Sequence, residues 1–442
     1  MHIPSSPTSG AAGAPAPVLP MKAVVAVVIG NFLEFYDFLV FTFFAVMIGD
    51  AFFPGDSEIG RLLGALATFG VGFVTRPLGA AIIGPYADRV GRRAALTLTL
   101  LLMSVGSAMI ALTPPYAQIG IAAPVLLLVA RLIQGFSCGG EVGPATTYLL
   151  EAAPPEKRAA LTAWQAYSQQ LASIMGAGFG VILAATLTRD QLYAWGWRVP
   201  FLVGVLIAPV AFYIRRQLPE TIVESQTHRS TAAVLGELWR GHSRAVVFGV
   251  CIICGGTVAT YVLNYMTTYA ITTLNMSATV GTTLGLTNSA AQIAGLAVGV
   301  WLDRLGRKRM LVLSRVAFLV IVYPVYLILT SPAASVATIV AGNSFLGFVF
   351  AIGIGPVYAF MAEAFPQSVR SSGLAILYAL GVMIFGGTTQ FVVAWLIDVT
   401  KDPMIPAWYQ MVTTAVSIVG VLLLTPHAEV LRERAIRAEV RA

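Results

Sequence analysis

Two carboxylates stand where carboxylates are costly. Glu34 and Asp37 belong to the run Gly30-Asn31-Phe32-Leu33-Glu34-Phe35-Tyr36-Asp37-Phe38, inside an otherwise apolar stretch from Met21 to Ile48. A stretch of that length crosses a bilayer as a helix, for which about 20 apolar residues suffice. An ionisable group near the centre of such a helix costs on the order of 2.5–3.5 kcal/mol on insertion scales, so it is rare and faces a bundle interior or a water-filled path. At about 100° per residue, Asn31, Glu34 and Asp37 share one helix face. Glu34 and Asp37 are i,i+3 neighbours, roughly 5–6 Å apart at Cβ, and two carboxylates that close in low dielectric tend to hold one proton between them. The chemistry this suggests is reversible protonation at depth. A polar contact tying one helix to another is the plainer reading of the same residues.

Cations accompany the acids. Arg131, Gln134, Cys138 and Glu141 project within roughly 80° of one another on a helix, and Arg131 and Glu141 are separated by about 15 Å along its axis. A polar stripe of that length lines a path. Arg76 is a second guanidinium inside an apolar segment. A substrate with several carboxylates needs more than one cationic partner, and the planar fork of arginine suits bidentate carboxylate binding. Pairing of Arg76 with Glu141 as a helix tie is the alternative. Neutral groups complete the candidate site: Asn31, Gln165 and Gln169 in the first half, and Tyr261, Asn264, Tyr265, Asn288 and Gln292 in the second. Each could orient an anion without titrating, or serve as interhelical glue. The second half has no carboxylate at depth, since Glu363 and Asp398 lie at helix ends. The expectation is therefore proton handling in the first half and only neutral hydrogen-bonding groups in the second.

Composition says what must position these residues. The chain has 442 residues, 57% hydrophobic and 11% charged, with a mean hydropathy of +0.81, which excludes an ordinary soluble domain. The 27 Lys+Arg against 20 Asp+Glu fit the cytoplasmic loops of a membrane protein better than a nucleic-acid partner. Cys138, Cys251 and Cys254 all lie in apolar runs, so neither a disulfide framework nor a metal site is expected. No cofactor is implied, and no nucleophile or metal cluster suggests an enzyme.

Hydropathy with glycine, proline and charge punctuation predicts twelve apolar segments, near 21–48, 59–84, 94–112, 121–148, 160–186, 199–214, 245–272, 279–300, 309–330, 334–361, 371–397 and 406–425. Five regions follow: a disordered tail over 1–20, a six-helix bundle over 21–214, a polar loop over 215–244, a second bundle over 245–425, and a tail over 426–442. With both termini in the cytoplasm, the basic clusters near 89–93, 157–158, 215–244, 304–309 and 432–441 all fall inside, as the positive-inside rule requires. The halves also repeat. Asp88-Arg89-Val90-Gly91-Arg92-Arg93 returns as Asp303-Arg304-Leu305-Gly306-Arg307-Lys308, and Glu151-Ala152-x-Pro154-x-x-x-Arg158 returns as Glu363-Ala364-x-Pro366-x-x-x-Arg370. Two like halves place a substrate site near the midplane between them.

Two six-helix halves with this loop motif resemble the major facilitator superfamily. Gly30-Asn31 through Asp37-Phe38, Arg76-Pro77-Leu78-Gly79, Arg131-Leu132-Ile133-Gln134-Gly135-Phe136-Ser137 and Trp197-Arg198-Val199-Pro200-Phe201 together resemble its metabolite:proton symporter family. Within that family, the segment 119–143 and Trp164-Gln165…Ser168-Gln169-Gln170 look most like the citrate and tricarballylate proton symporters. The resemblance implies a fold of twelve transmembrane helices in two pseudo-symmetric bundles. It also implies a protonation switch in which a first-helix acid, here Asp37 with Glu34 beside it, is paired with a fourth-helix arginine, here Arg131. Asp88, Arg89, Arg92, Asp303, Arg304, Glu151 and Glu363 are expected to form cytoplasmic latches that gate alternating access. The function expected is import of a small tri- or dicarboxylate with protons across the inner membrane, by a chain embedded in lipid and working as a monomer. An oxoacid, a shikimate-like acid or a zwitterionic osmolyte is the alternative cargo. Proton-driven export is less favoured, because Gly176-Ala177-Gly178-Phe179-Gly180 does not supply the Gly-Pro-x-x-Gly-Gly motif of antiporters.

Overall fold

A computed structural model describes residues 21–90, 92–139, 158–216, 236, 240–366 and 370–425. Its helices fall into twelve consecutive segments in the order expected. In the first half these are Met21–Phe43 with Ala45–Phe52, Glu58–Val74 with Arg76–Val90, Arg92–Leu112, Ala122–Gly139, Arg158–Thr186 and Val199–Arg216. In the second they are Ser243–Thr272, Ala278–Leu302, Arg307–Leu329, Val336–Ile352 with Ile354–Ala362, Arg370–Gly381 with Gly387–Thr400, and Ile405–Leu423. Among the described residues eight helices are long and apolar enough to cross a bilayer, or nine if the bent first pair is one span. Thr97–Leu112 and Gly196–Leu206 are shorter apolar helices. The eighth segment is diluted by Thr282, Thr283, Thr287, Asn288, Ser289 and Gln292, of which Thr282, Asn288, Ser289 and Gln292 are buried.

Three breaks shape the region where the acids and cations meet. The first span bends by 68° at Phe44. The second span breaks at Thr75, just before Pro77, whose ring nitrogen carries no N–H for a helical bond. There the Thr75 hydroxyl lies 2.9 Å from the Leu132 carbonyl of the fourth span, so the break becomes a joint between two helices. The eleventh span contains a π-turn at Val382–Gly386, the kind of local widening that often marks functional positions.

Glycines let the second and fourth spans touch along their backbones. A Cβ on Gly135 would run into the Gly72 carbonyl, and one on Gly139 into the Arg76 carbonyl. The helices that carry Arg76 and Arg131 are thereby fixed against each other with little room for rearrangement.

Contacts between the halves run along two seams. In the first, the fifth span meets the eighth, with Ser289 Oγ donating to Ser173 Oγ at 2.6 Å and Thr279 Oγ1 donating to the Ala184 carbonyl at 3.3 Å. In the second, the second span meets the eleventh at two glycines: a Cβ on Gly387 would stand 2.8 Å from the Gly70 carbonyl oxygen. An aromatic cluster closes over that seam. Phe38, Phe69 and Phe73 from the first half pack edge-on, and Tyr261 from the second half joins with its ring 5.6 Å from Phe73.

Candidate functional site

Asp37 lies 5% exposed on the first span. Its Oδ2 accepts a 2.6 Å hydrogen bond from the Ser107 hydroxyl of the third span. Ser107 Oγ in turn accepts from Gln134 Nε2 at 3.0 Å, and Gln134 Oε1 accepts from Arg131 Nη1 at 2.7 Å. Every donor in this chain points from the cation toward the carboxylate. The direct Asp37–Arg131 pair expected from the sequence is not formed: two neutral side chains carry the link between the charges. The other oxygen, Oδ1, would lie 2.7 Å from a Cβ at Gly204, so a glycine on the sixth span is what leaves space for the carboxylate.

Arg131 has no exposed surface. Its guanidinium lies 4.6 Å from the ring centre of Phe38, 4.5 Å from Phe41 and 4.9 Å from Phe69. Arg76 lies 4.6 Å from the same Phe38 ring and 4.3 Å from Phe73. One phenylalanine therefore serves two buried guanidiniums. Rings attract cations through their quadrupole, by about 2 kcal/mol or more when the pair is desolvated, but they leave N–H donors unspent. Arg131 Nε and Nη2 and Arg76 Nε have no hydrogen-bond partner among the described residues. Glu34 is buried on the same helix as Asp37 and within electrostatic reach of Arg76. Glu141 and Glu151 lie outside the described residues.

The remaining sequence candidates divide into three groups. Some line the space between the halves. Gln169 and Tyr261, joined by Thr260 and Gln170, which were not among the candidates, border both a cavity of about 100 Å³ and a smaller one of about 20 Å³ that also touches Phe38 and Asn264. By this measure one water needs about 10–15 Å³, so the larger cavity has room for several. Others are spent on helix packing. Asn31 Nδ2 donates to the Gln165 carbonyl at 2.9 Å and to Ser168 Oγ at 2.7 Å, tying the first span to the fifth. Asn288 donates to the Asn343 carbonyl at 2.7 Å and accepts from Gln292 at 2.6 Å, joining the eighth span to the tenth. Tyr265 belongs to the apolar core of the second half and borders neither cavity.

The third group is the loop residues. Asp88, Arg89 and Arg92 fall in helices, and Asp303 in a short turn at Asp303–Leu305. Arg304 stacks over Trp301 at 3.8 Å. Arg307, not singled out from the sequence, forms an ion pair with Glu363. The repeat motif thus places a closed cation–carboxylate contact at this end of the second half.

The expectation that the second half offers only neutral groups is corrected by Arg315. This ninth-span guanidinium borders the larger cavity, with Nε donating to Ser417 Oγ at 2.8 Å and Nη1 to the Leu311 carbonyl at 3.4 Å. It follows closely on Arg307-Lys308-Arg309 and reads in sequence as the end of that basic cluster. The residue's register, eight positions into a helix, is the signal that would have separated it. Ser107 offered no such signal, because a serine in an apolar helix ordinarily bonds its own preceding turn.

Comparison with known proteins gives a consistent picture. The family model described as Major Facilitator Superfamily matches residues 27–387. A citrate-proton symporter of Salmonella typhi is 36% identical over 403 residues, covering 89% of this chain and 92% of that protein. A proline/betaine transporter of Salmonella typhimurium is 30% identical over 88% of this chain and 80% of its own. Among solved structures, that of a D-xylose-proton symporter superposes with a TM-score of 0.74 at 18% identity, covering 92% of this chain and 98% of that one. At that identity the likeness speaks to the fold alone.

Proposed function

The chain belongs to the major facilitator superfamily, and from that premise we propose that it imports a small tri- or dicarboxylate, of which citrate is the model, together with protons by alternating access. The observation that carries this reading is the hydrogen-bonded chain from Arg131 through Gln134 and Ser107 to Asp37. With Asp37 ionised, the chain is polarised from cation to anion and Arg131 is held in it. Protonation removes the anion at its end. The guanidinium then offers its free donors to a substrate carboxylate, so proton and substrate bind together. Arg76, which lies against the same Phe38 ring, supplies a second cation for a second carboxylate. Glu34 is the candidate for an additional proton.

Energetics supports the coupling. Each net negative charge moved inward against an inside-negative membrane costs about 2.3 kcal/mol per 100 mV, so a multivalent anion must enter with protons or partly protonated. The same arrangement argues against a quaternary ammonium cargo. Betaines are recognised by open aromatic faces, and here the faces of Phe38, Phe69 and Phe73 are already covered by guanidiniums.

In the membrane, the basic clusters put both termini in the cytoplasm of an inner-membrane protein, with bundles over 21–214 and 245–425 on either side of the 215–244 loop. The Arg307–Glu363 contact then lies on the cytoplasmic side and acts as a gating latch, with Asp88, Arg89, Arg92 and Glu151 as its first-half counterpart. The lipid-embedded chain works as a monomer, since the site is built from one copy.

Uptake of labelled citrate into proteoliposomes under an inward proton gradient tests the reading, with tricarballylate, succinate and glycine betaine as competitors. Citrate uptake that a protonophore abolishes and tricarballylate blocks is the expected result. Flux inhibited by glycine betaine with no citrate uptake would overturn the substrate class and leave the fold untouched.

A further inference from the structure

Arg315 has the surroundings of a ligand-binding group rather than of a structural ion pair. It stands eight residues into the ninth span, some 12 Å along the helix axis. No carboxylate lies within ion-pair distance of it among the described residues. Its hydrogen-bond partners among the described residues are a hydroxyl and a carbonyl, Ser417 Oγ and Leu311 O, both neutral. A charge at such depth is rare without a counter-ion and marks substrate or ion paths. The cavity it borders also receives Gln169 and Gln170 from the first half and Tyr261 and Tyr378 from the second. Gly353 helps to keep the space open: a Cβ there would stand 2.5 Å from Ser314 Oγ and 3.7 Å from Arg315 Nη1.

We propose that Arg315 is the second bundle's carboxylate-binding residue, gripping one carboxylate of the transported anion while Arg131 and Arg76 hold the others. This rests on the organic-anion reading above and adds to it a division of the substrate between the bundles. Tyr261 joins the two regions, since it packs on Phe73 beneath Arg76 and also borders the Arg315 cavity. A tricarboxylate bound this way is a bridge whose two ends belong to different rigid bodies. A dicarboxylate is satisfied by the first-half cations alone.

The test uses the full-length chain in proteoliposomes, comparing wild type with Arg315→Gln and Arg315→Lys, each first checked for monodispersity and thermal unfolding. Uptake kinetics are measured for citrate and for succinate. For Arg315→Gln the expected result is a rise in citrate KM of about tenfold or more, equivalent to about 1.4 kcal/mol, with succinate KM changed by less than about threefold. Arg315→Lys should restore part of the loss. An unchanged citrate KM in a folded Arg315→Gln protein overturns the assignment and leaves the anion reading in place. Equal losses for citrate and succinate overturn it in favour of a packing role. Wild-type protein that carries neither acid removes the anion reading itself, and this inference with it.

Discussion

The two bundles share a topology and a pair of loop motifs, yet they are built for different chemistry. The first concentrates its charges: Asp37, Glu34, Arg76 and Arg131 are all buried, and aromatic rings surround the guanidiniums. The second spends most of its buried polarity on amide and hydroxyl ties such as Asn288 to Asn343 and Gln292, and keeps one guanidinium, Arg315, against the cavity. The contrast teaches that a repeat conserves a scaffold and leaves the titrating groups free to collect on one side. A proton site needs low dielectric and a nearby compensating charge, and the first bundle provides both within a few helices.

The comparison can be broken most directly at Asp37. Asp37→Asn should abolish accumulation driven by a pH gradient while preserving substrate exchange, and an Asn variant that still concentrates substrate would place the proton site elsewhere. The next largest effect is expected at Arg131. Removing one partner from a buried charged network costs about 2–5 kcal/mol, so Arg131→Gln should weaken substrate binding by about 30-fold or more in isothermal titration. Phe38→Leu keeps the volume apolar and removes the ring shared by two guanidiniums; at about 0.5–2 kcal/mol per cation–π contact, citrate KM should rise several-fold with the fold intact. Ser107→Ala deletes the donor to ionised Asp37. The protonated form gains by comparison, so uptake should persist to higher external pH, a change smaller than about 1.5 kcal/mol and visible as a displaced pH–rate profile. Smallest is the effect on transport of Asn288→Ala in the second bundle. It should lower thermal stability by the ~0.6–2 kcal/mol of an interhelical hydrogen bond in a membrane and leave the pH dependence alone. If it instead alters coupling, the bundles are not as different as their polar groups suggest.

Much of this was legible in sequence, and the reasons are physical. Twelve segments and the repeated loops follow from hydropathy and punctuation, because a bilayer imposes a length on every span. Asp37 and Arg131 declare themselves because charge inside an apolar run has a cost that must be met. Ser107 and the role of Gln134 as intermediary were not legible, since their importance lies in which helices meet, information that no single segment contains. Asn31 has the residue type of a ligand contact and the geometry of a helix tie, a distinction only the neighbouring fifth span can make. The 68° bend at Phe44 carries neither glycine nor proline at its apex, so nothing local announces it. The break at Thr75 is different: Pro77 two residues later signals it.

At Gly70 and Gly387 the halves meet backbone to backbone, beside the Phe73 side chain. A contact made by interlocked side chains has a register, and leaving that register means unpacking rotamers. Two bare backbones have none. Such a joint behaves as a smooth bearing: it resists the halves being pulled apart, yet sets few notches against their rolling or sliding across one another. A side chain added at either position would act as a cog, and the protein would be expected to stay folded while its turnover slowed.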